Sequence, residues 1–203
     1  MKIINQSKAS NFKSVKIGNL IWMAENLNVT KFRNGDAIHQ IKTEQDWEKA
    51  SKNNIPAWCY YEFNPVHGKV YGKLYNWYAV KDSRGLSPVG WCIPGYNEVV
   101  DLTEVSGGKE IGGRHLKSKE IWPDAGKNTN KTGFGGLPGG MSGSGIFRQI
   151  NEAGYFWTCD DLLFDDSPNS VYFCLSEFDN IFVATYFQGC YFSVRCIKEE
   201  DVL

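Results

Sequence analysis

The side chains most often used in catalysis and metal binding are few in this sequence and widely spaced. Its three histidines, His39, His67 and His115, lie in separate polar segments. None belongs to an H-x-x-x-H or H-E-x-x-H pattern, so we expect surface histidines and no zinc site built from them. The sequence also lacks the G-x-S-x-G elbow of α/β-hydrolases. These absences favour a protein that is not an enzyme.

The cysteines give no clear signature of a metal or redox site. Six are present and none forms C-x-x-C, which argues against a zinc ribbon and against a thioredoxin-type centre. An even number could pair in an oxidising environment, but buried free thiols in strands are equally compatible with the pattern. The six are Cys59, Cys92, Cys159, Cys174, Cys190 and Cys196.

A short acidic turn is the only candidate for a cation site. Asp160-Asp161 and Asp165-Asp166 stand just before Ser167-Pro168-Asn169. Ca²⁺ prefers six to eight oxygen ligands, which carboxylates supply, but the spacing of an EF-hand is absent. We therefore expect a solvated acidic turn, and we expect no metal or cofactor.

The segment GFGGLPGGMSGSG, residues 133–145, invites comparison with a phosphate-binding loop. It contains no G-x-x-x-x-G-K-[ST] pattern, and Pro138 lies in its middle. No helical pattern follows it that could offer an N-terminal dipole to a phosphate. We expect instead a loop that packs tightly against neighbouring backbone.

Length and composition indicate one folded domain of 203 residues and 22.9 kDa, with 42% hydrophobic and 22% charged residues. The net charge of −1 offers no basic field for nucleic acid. No apolar run reaches 18 residues, so membrane insertion is not expected. The first residues lack the apolar stretch of a secretory signal peptide.

Charge and aromatic residues are unevenly distributed along the chain. Residues 149–194 contain no Lys or Arg, seven acidic residues and twelve aromatic ones. One interpretation is a sheet with an apolar core face and solvated acidic loops. The other is a surface that offers rings and carboxylates to a partner.

Local patterns predict three helices. One begins after a Thr43 cap and ends near residue 53, with Glu44 and Asp46 in its first turn. A second is predicted over 71–80, where aromatic residues recur at helical spacing. A third covers about 96–105 and ends at two glycines, with Val99, Val100, Leu102 and Val105 as candidates for its buried side.

Strands are predicted near both ends of the chain. Residues 15–30 indicate short strands around a Gly18-Asn19 turn. Helices followed by strands favour an α+β fold with an antiparallel C-terminal sheet. The C-terminal apolar runs of strand length are 146–150, 155–159, 171–175, 181–187 and 192–197.

Several strings, taken in order, resemble the Fibrobacter succinogenes major paralogous domain family over about residues 15–199. The resemblance makes 1–14 an N-terminal extension, 15–199 a single domain and 200–203 a tail. The strings are VKIGNLIWMAENLNVTKFRNGD (15–36), AWCYYEFNP (57–65), YGKLYNWYAVKDSRGLSPVGWCIPG (71–95), TGFGGLPGGM (132–141), GYFWT (154–158) and YFSVRCIKE (191–199).

The resemblance implies a C-type-lectin-like fold with two helices, long Gly-rich loops and a small antiparallel C-terminal sheet whose N- and C-terminal strands are adjacent. Members of the family are mostly bacterial surface or secreted proteins, so a cell surface or a phage particle is the expected location. Cys59 and Cys196 match positions where members often have Cys, which implies a disulfide or a packed thiol couple.

Relatives of this fold include the variable proteins of diversity-generating retroelements, in which adenine mutagenesis creates new ligand specificity. Asn codons changed in this way cannot yield Lys, Glu, Gln, Met or Trp. Between Thr158 and Tyr191, only Glu177 and Gln188 lie outside the accessible set. Ordinary variation in strands rich in Phe, Tyr, Val and Thr is the alternative explanation.

These considerations favour a non-enzymatic ligand-binding protein whose C-terminal face, about 158–191, is a candidate for diversification; a fixed structural or adhesive cell-envelope domain is the alternative. The lack of Lys and Arg favours a neutral or basic partner, either a protein or a surface glycoconjugate. We expect Trp22, Trp77, Trp91, Trp157 and Phe192 to anchor the core. The predicted binding residues are Cys159, Asp160, Phe173, Cys174, Ser176, Phe178, Asn180, Phe182, Tyr186, Phe187 and Tyr191.

Overall fold

Helices are short in the computed structural model, which describes residues 12–123, 125–161 and 168–199. The first begins as predicted, because the Thr43 hydroxyl oxygen accepts a hydrogen bond from the backbone N–H of Asp46 at 3.1 Å. The predicted helix over 96–105 is also confirmed. The helices are α1 (Glu44–Lys52), α2 (Pro65–Tyr71), α3 (Trp77–Val80), α4 (Tyr96–Val105) and α5 (Gly112–Leu116), with 3₁₀ turns at Tyr61–Phe63 and Ala125–Lys127.

The single helix predicted over 71–80 is wrong. α2 ends at Tyr71, and Gly72 follows with a φ of 79°. The chain is then extended before α3 begins after Asn76, whose side-chain oxygen accepts from the N–H of Ala79 at 3.1 Å. Tyr71 and Tyr75 are both buried, but on different elements. Their spacing therefore reflects two separate packing sites and not one helix face.

Thirteen strands lie within the described residues. The predicted hairpin around Gly18-Asn19 is present. Part of the Gly-rich segment forms a strand, whereas a loop was expected throughout. The strands are β1 (Ser14–Ile17), β2 (Leu20–Met23), β3 (His39–Gln40), β4 (Ala57–Cys59), β5 (Leu74–Asn76), β6 (Trp91–Cys92), β7 (Gly139–Gly143), β8 (Ile146–Ile150), β9 (Gly154–Trp157), β10 (Asn169–Leu175), β11 (Ile181–Phe187), β12 (Tyr191–Phe192) and β13 (Ile197–Lys198).

The strands form two sheets. A four-stranded antiparallel sheet has the order β1-β2-β13-β6, so strands from the two ends of the chain are adjacent, as expected. A nine-stranded sheet has the order β11-β10-β9-β7-β12-β5-β4-β3, with β8 paired to β7. Its pairs β7–β9 and β3–β4 are parallel. The fold is α+β, but the expected small antiparallel C-terminal sheet is wrong, since this sheet is large, mixed and built from most of the chain.

Both faces of the nine-stranded sheet are covered near β10. On one face, the side chains of Val171, Phe173 and Leu175 are buried toward α4 and α5. Phe173 and Leu175 share a core cluster with Val99 and Leu102 of α4. Val100 and Val105, predicted for the buried side of α4, are exposed. Tyr172 and Cys174 point to the opposite core cluster. The five predicted core anchors are all buried: Trp22, Trp77, Trp91, Trp157 and Phe192.

The expected association of Cys59 with Cys196 is not present. All six cysteines are free thiols, and these two belong to different core clusters. Burial raises the pKa of both thiols well above the ordinary value. Each therefore serves as a small buried apolar group.

No helix within the described residues combines the length and the apolar character that a membrane crossing requires. The longest, α4, has 10 residues.

Candidate binding face

The register of three strands brings aromatic side chains to one face of the nine-stranded sheet. Cys174 lies opposite Phe182 on β11 and opposite Tyr155 on β9. Side chains two residues apart on a strand share a face, so Tyr186 and Tyr172 belong with them. We call the set Tyr155, Tyr172, Phe182 and Tyr186 the aromatic face. Phe182 is 52% exposed and Tyr186 is 43% exposed.

The aromatic face rests on a buried set of rings that holds Tyr186 in place. The Tyr186 ring centroid lies 5.9 Å from that of Phe192 and 6.2 Å from that of Tyr172. Phe192 is itself stacked on Trp157 at 4.2 Å. Tyr186 therefore presents a rigid, half-exposed ring, which offers contact area at little cost in conformational entropy.

The phenol groups of Tyr155 and Tyr172 are neutral at physiological pH. Burial raises the pKa of Tyr172 to about 12, and it also raises the pKa of Tyr155 above its ordinary value. The Tyr155 hydroxyl donates a hydrogen bond to the side-chain oxygen of Gln149. Tyr155 and Tyr172 thus add no charge to the aromatic face.

A groove of about 580 Å³ adjoins Tyr186 and separates β11 from the β7–β8 hairpin. Arg148 and Met141 line it from that hairpin, where they are directly opposite each other. Thr185 and Phe187 line it from β11. Sequence reasoning missed the β7–β8 contribution. The available signal was Ser144-Gly145, a two-residue turn in which both φ angles are positive, as hairpins favour.

The tip between β10 and β11 carries three predicted residues: Ser176, Phe178 and Asn180. Phe178 is 63% exposed, but its carbonyl oxygen accepts a hydrogen bond from the Lys117 ammonium at 2.7 Å. Arg114 forms an ion pair with Asp179, and its hydrogen bond lowers the pKa of that carboxyl group. The tip is therefore anchored on α5 while the Phe178 ring faces solvent.

Ser176 lies in a second cleft, of about 480 Å³. Trp122 and Glu177 also line it, together with Asn128. The Asn128 amide nitrogen is buried and has no hydrogen-bond partner among the described residues. This cleft is separate from the groove beside Tyr186, because the two share no lining residue.

Cys159 and Asp160 lie apart from the rings of β11. The N–H of Val171 donates to the carbonyl oxygen of Asp160 at 3.0 Å, so these residues flank β10 on the side opposite β11. The Asp160 carboxylate accepts from the N–H of Tyr96 and caps α4. The Asp160 carboxylate is therefore bound to α4, whereas the sequence predicted a solvated acidic turn. Asp165 and Asp166 lie outside the described residues.

Three predicted binding residues are wrong because they are inside the core. Phe173 and Tyr191 have no exposed surface, and Cys174 is also buried. Phe173 stacks on Phe156 beneath α4 and α5, and Tyr191 lies in the cluster beneath α1. Phe173 and Tyr191 are remote from the aromatic face, and Cys174 lies on that face but is buried.

The groups suited to nucleophilic or metal chemistry are dispersed. Within residues 12–123, 125–161 and 168–199, no group of three or more His, Cys, Asp or Glu side chains is placed to hold a metal ion. Burial raises the pKa of the Cys159 thiol, which disfavours a thiolate at neutral pH. His39 is exposed and His115 is half-buried, with Nδ1 bonded to the carbonyl oxygen of Ser106. The arrangement on β11 is suited to noncovalent contact through rings.

Comparison with known proteins gives one result. No curated protein and no solved structure matches the chain. A family model does match, and it spans more than half of the sequence. Residues 15–198 match the Fibrobacter succinogenes major domain, and the chain therefore belongs to that family.

Proposed function

We propose that this chain is a non-enzymatic recognition protein that binds a protein or a surface glycoconjugate through the aromatic face and the adjoining groove. The observation that carries the proposal is the pair Phe182 and Tyr186, two large apolar rings held half-exposed on one rigid sheet face. Contiguous exposed apolar surface often marks an interaction site, and rings of this kind dominate the energy of many interfaces.

The chemistry of the surface supports a partner that is neutral or mixed in charge. Arg148 lines the groove, and the segment 149–194 adds only carboxylates. Tyr hydroxyl groups and Arg can bind the hydroxyl groups of a sugar or the main chain of a peptide, while the rings pack on apolar patches. Phe187 lines the same groove as Tyr186, and Phe178 is exposed at the hairpin tip beyond β11.

We further propose a C-type-lectin-like fold for the domain and diversification of its C-terminal face by a retroelement. The adjacency of β2 and β13 is in keeping with that fold. A cell surface or a phage particle is the corresponding location. The alternative is a fixed structural or adhesive domain of the cell envelope, which would use the same exposed rings against one constant partner.

A binding experiment tests the recognition function directly. The fluorescently labelled full chain is applied to an array of surface glycans and to immobilised bacterial cells. We expect the F182S/Y186S double variant to lose about tenfold or more of the wild-type signal, since it removes the two central rings. V66S/V89S is the matched control, because these valines are similarly exposed and lie elsewhere. Equal binding by wild type and F182S/Y186S, at equal melting temperature, would refute the proposal.

Sequencing of the gene across a natural population tests the diversification. Substitutions are expected at the codons of Phe178, Phe182, Tyr186 and Phe187, together with a nearby copy of the segment that carries Asn codons. Buried Phe173 provides an internal control, since it should remain apolar whatever happens at the exposed positions. A 3′ end no more variable than the rest of the gene would favour the fixed domain.

A further inference from the structure

β11 is an edge strand whose outer side has no strand partner among the described residues. It is seven residues long and reads IFVATYF, with no charged residue, proline or glycine. Natural sheets protect edges by keeping them short or by adding charge. The opposite edge of this sheet, β3, is only two residues long. β1, an edge of the four-stranded sheet, carries the charged residue Lys16. β11 has neither kind of protection.

The hydrogen bonds of β11 show which backbone groups point outward. The N–H of Gln188 donates to the carbonyl oxygen of Pro168 at 2.9 Å, which continues the β10–β11 register. Residues bonded to β10 therefore have even numbers, because bonded pairs alternate along an antiparallel ladder. The N–H and C=O groups of Val183 and Thr185 point away from the sheet.

Near each end of this edge, one outward backbone group already has a hydrogen-bond partner within the molecule. The outward N–H of Ile181 donates to the carbonyl oxygen of Lys109 at 3.1 Å. The carbonyl oxygen of Phe187 accepts from the N–H of Cys190 at 3.0 Å. Between these two points, the N–H and C=O groups of Val183 and Thr185 have no hydrogen-bond partner among the described residues, and Thr185 is exposed.

We propose that two copies of this chain pair through β11 in an antiparallel, two-fold symmetric arrangement centred on Ala184. In that register Val183 of each copy faces Thr185 of the other, and four backbone hydrogen bonds form between them. A further bond, from the N–H of Ile181 to the C=O of Phe187 in the second copy, does not form in this arrangement. Both of these groups already have hydrogen-bond partners within their own molecule. The free groups of the edge thus match those of a second copy.

The side chains fit the same register. Phe182 of one copy lies opposite Tyr186 of the other, which places aromatic pairs across the new interface on the aromatic face. Ala184 faces itself, and a small side chain suits that position because directly opposed residues approach closely there. The absence of charge from 181–187 means that no like charges oppose each other. Each molecule has one such edge, so the assembly closes at two copies.

Edge pairing lies in the plane of the sheet, so Phe182 and Tyr186 meet their counterparts side by side while the surface above the rings is left open. The dimer would carry two aromatic faces side by side on one continuous sheet. The inference rests on the backbone of β11 and not on the proposed binding function. Its test is oligomeric state, so either proposal can fail without the other.

Light scattering after size-exclusion chromatography of the full chain tests the dimer. Wild type is expected at twice 22.9 kDa. A184K alone and A184E alone are expected at the monomer mass, because like charges then face each other at the two-fold axis. An equimolar mixture of the two variants is expected to recover the dimer mass. V100K and V100E are the controls. They place the same charges at exposed Val100 and are expected to remain dimeric.

Several outcomes would overturn the proposal. Wild type that stays monomeric at concentrations up to about 100 µM, or that forms open-ended polymers, would contradict the pairing. So would A184K that is dimeric on its own, or a mixture of A184K and A184E that stays monomeric. Should the Ala184 variants fail to fold, T185P replaces them. Its missing N–H points outward, so the β10 ladder is kept while an intermolecular donor is lost. T185P is expected at the monomer mass, and a dimeric T185P would contradict the pairing.

Discussion

At the scale of single residues, Arg195 is a fully buried cation in the core of the domain. Its side chain is fully buried and donates hydrogen bonds to the carbonyl oxygen of Met23 at 3.0 Å, to that of Phe134 and to the side-chain oxygen of Asn26 at 2.6 Å. Burial lowers the pKa of Arg195 to about 9, so the group is still protonated at neutral pH. No carboxylate in the described part of the chain forms an ion pair with it. The buried charge therefore depends on three neutral oxygens, two from residues 23–26 and one from Phe134.

Replacing Arg195 with Lys should destabilise the protein by about 3 kcal/mol, because the ammonium group cannot reach all three acceptors and a buried charge loses partners. Urea denaturation at pH 7 measures the change. Arg148→Lys, at an exposed position, is the matched control and should change the free energy of unfolding by less than about 0.5 kcal/mol. Equal stability of the two variants would show that Arg195 is not held as the structure indicates.

Buried polar residues of the family motifs form hydrogen bonds between distant segments. Asn26 lies in the string WMAENLN and Arg195 in FSVRC, and the two are joined by the hydrogen bonds just described. Asn76 of YNWYAV is fully buried and accepts from the N–H groups of Ala57 and Ala79. The motif residues thus hold separate segments together, and family membership by itself identifies a scaffold and not a ligand.

At the scale of elements, the contact between α5 and the tip of the β10–β11 hairpin positions Phe178. A Cβ atom added at Gly113 would lie 2.3 Å from the carbonyl oxygen of Asn180 and 2.7 Å from that of Asp179. Both neighbours are backbone atoms, so neither can move without displacing the tip. A glycine is required here because two backbones approach closely.

Gly113→Ala is therefore expected to destabilise the domain by about 1–3 kcal/mol, the usual cost of inserting a methyl group where there is no space. Thermal or urea denaturation measures it. Gly126→Ala is the control, since nothing lies within 4 Å of a Cβ atom at that position. A neutral Gly113→Ala would mean that the tip of the hairpin is not anchored on α5.

At the scale of the whole molecule, one large mixed sheet connects elements that are far apart in sequence. β12 lies between β5 and β7, and β13 lies between β2 and β6. Each C-terminal strand thus completes a sheet begun earlier in the chain. If two copies pair through β11, this sheet continues across the two-fold axis, and two linked faces would bind a repetitive surface more tightly than one.

Local signals in the sequence determined the elements that depend on nearby residues. The Thr43 cap predicted the start of α1, the glycines after residue 105 predicted the end of α4, and the Gly18-Asn19 turn predicted the first hairpin. These features are local because capping and turn formation involve residues within four positions of each other. The five predicted anchors were also placed correctly in the core, since large apolar side chains gain most from burial.

Only the tertiary structure decided which aromatic residues face solvent. Alternation along β10 and β11 shows which side chains share a face, but not whether another element covers that face. Phe173 is buried because α4 and α5 pack on its side, whereas Phe182 is exposed because β11 is the last strand of the sheet. Arg148 reaches the groove through the register of a hairpin outside the segment 149–194. The sequence by itself thus determined the family, the local elements and the core anchors, and long-range packing determined which rings are exposed on the aromatic face, because burial depends on elements distant along the chain.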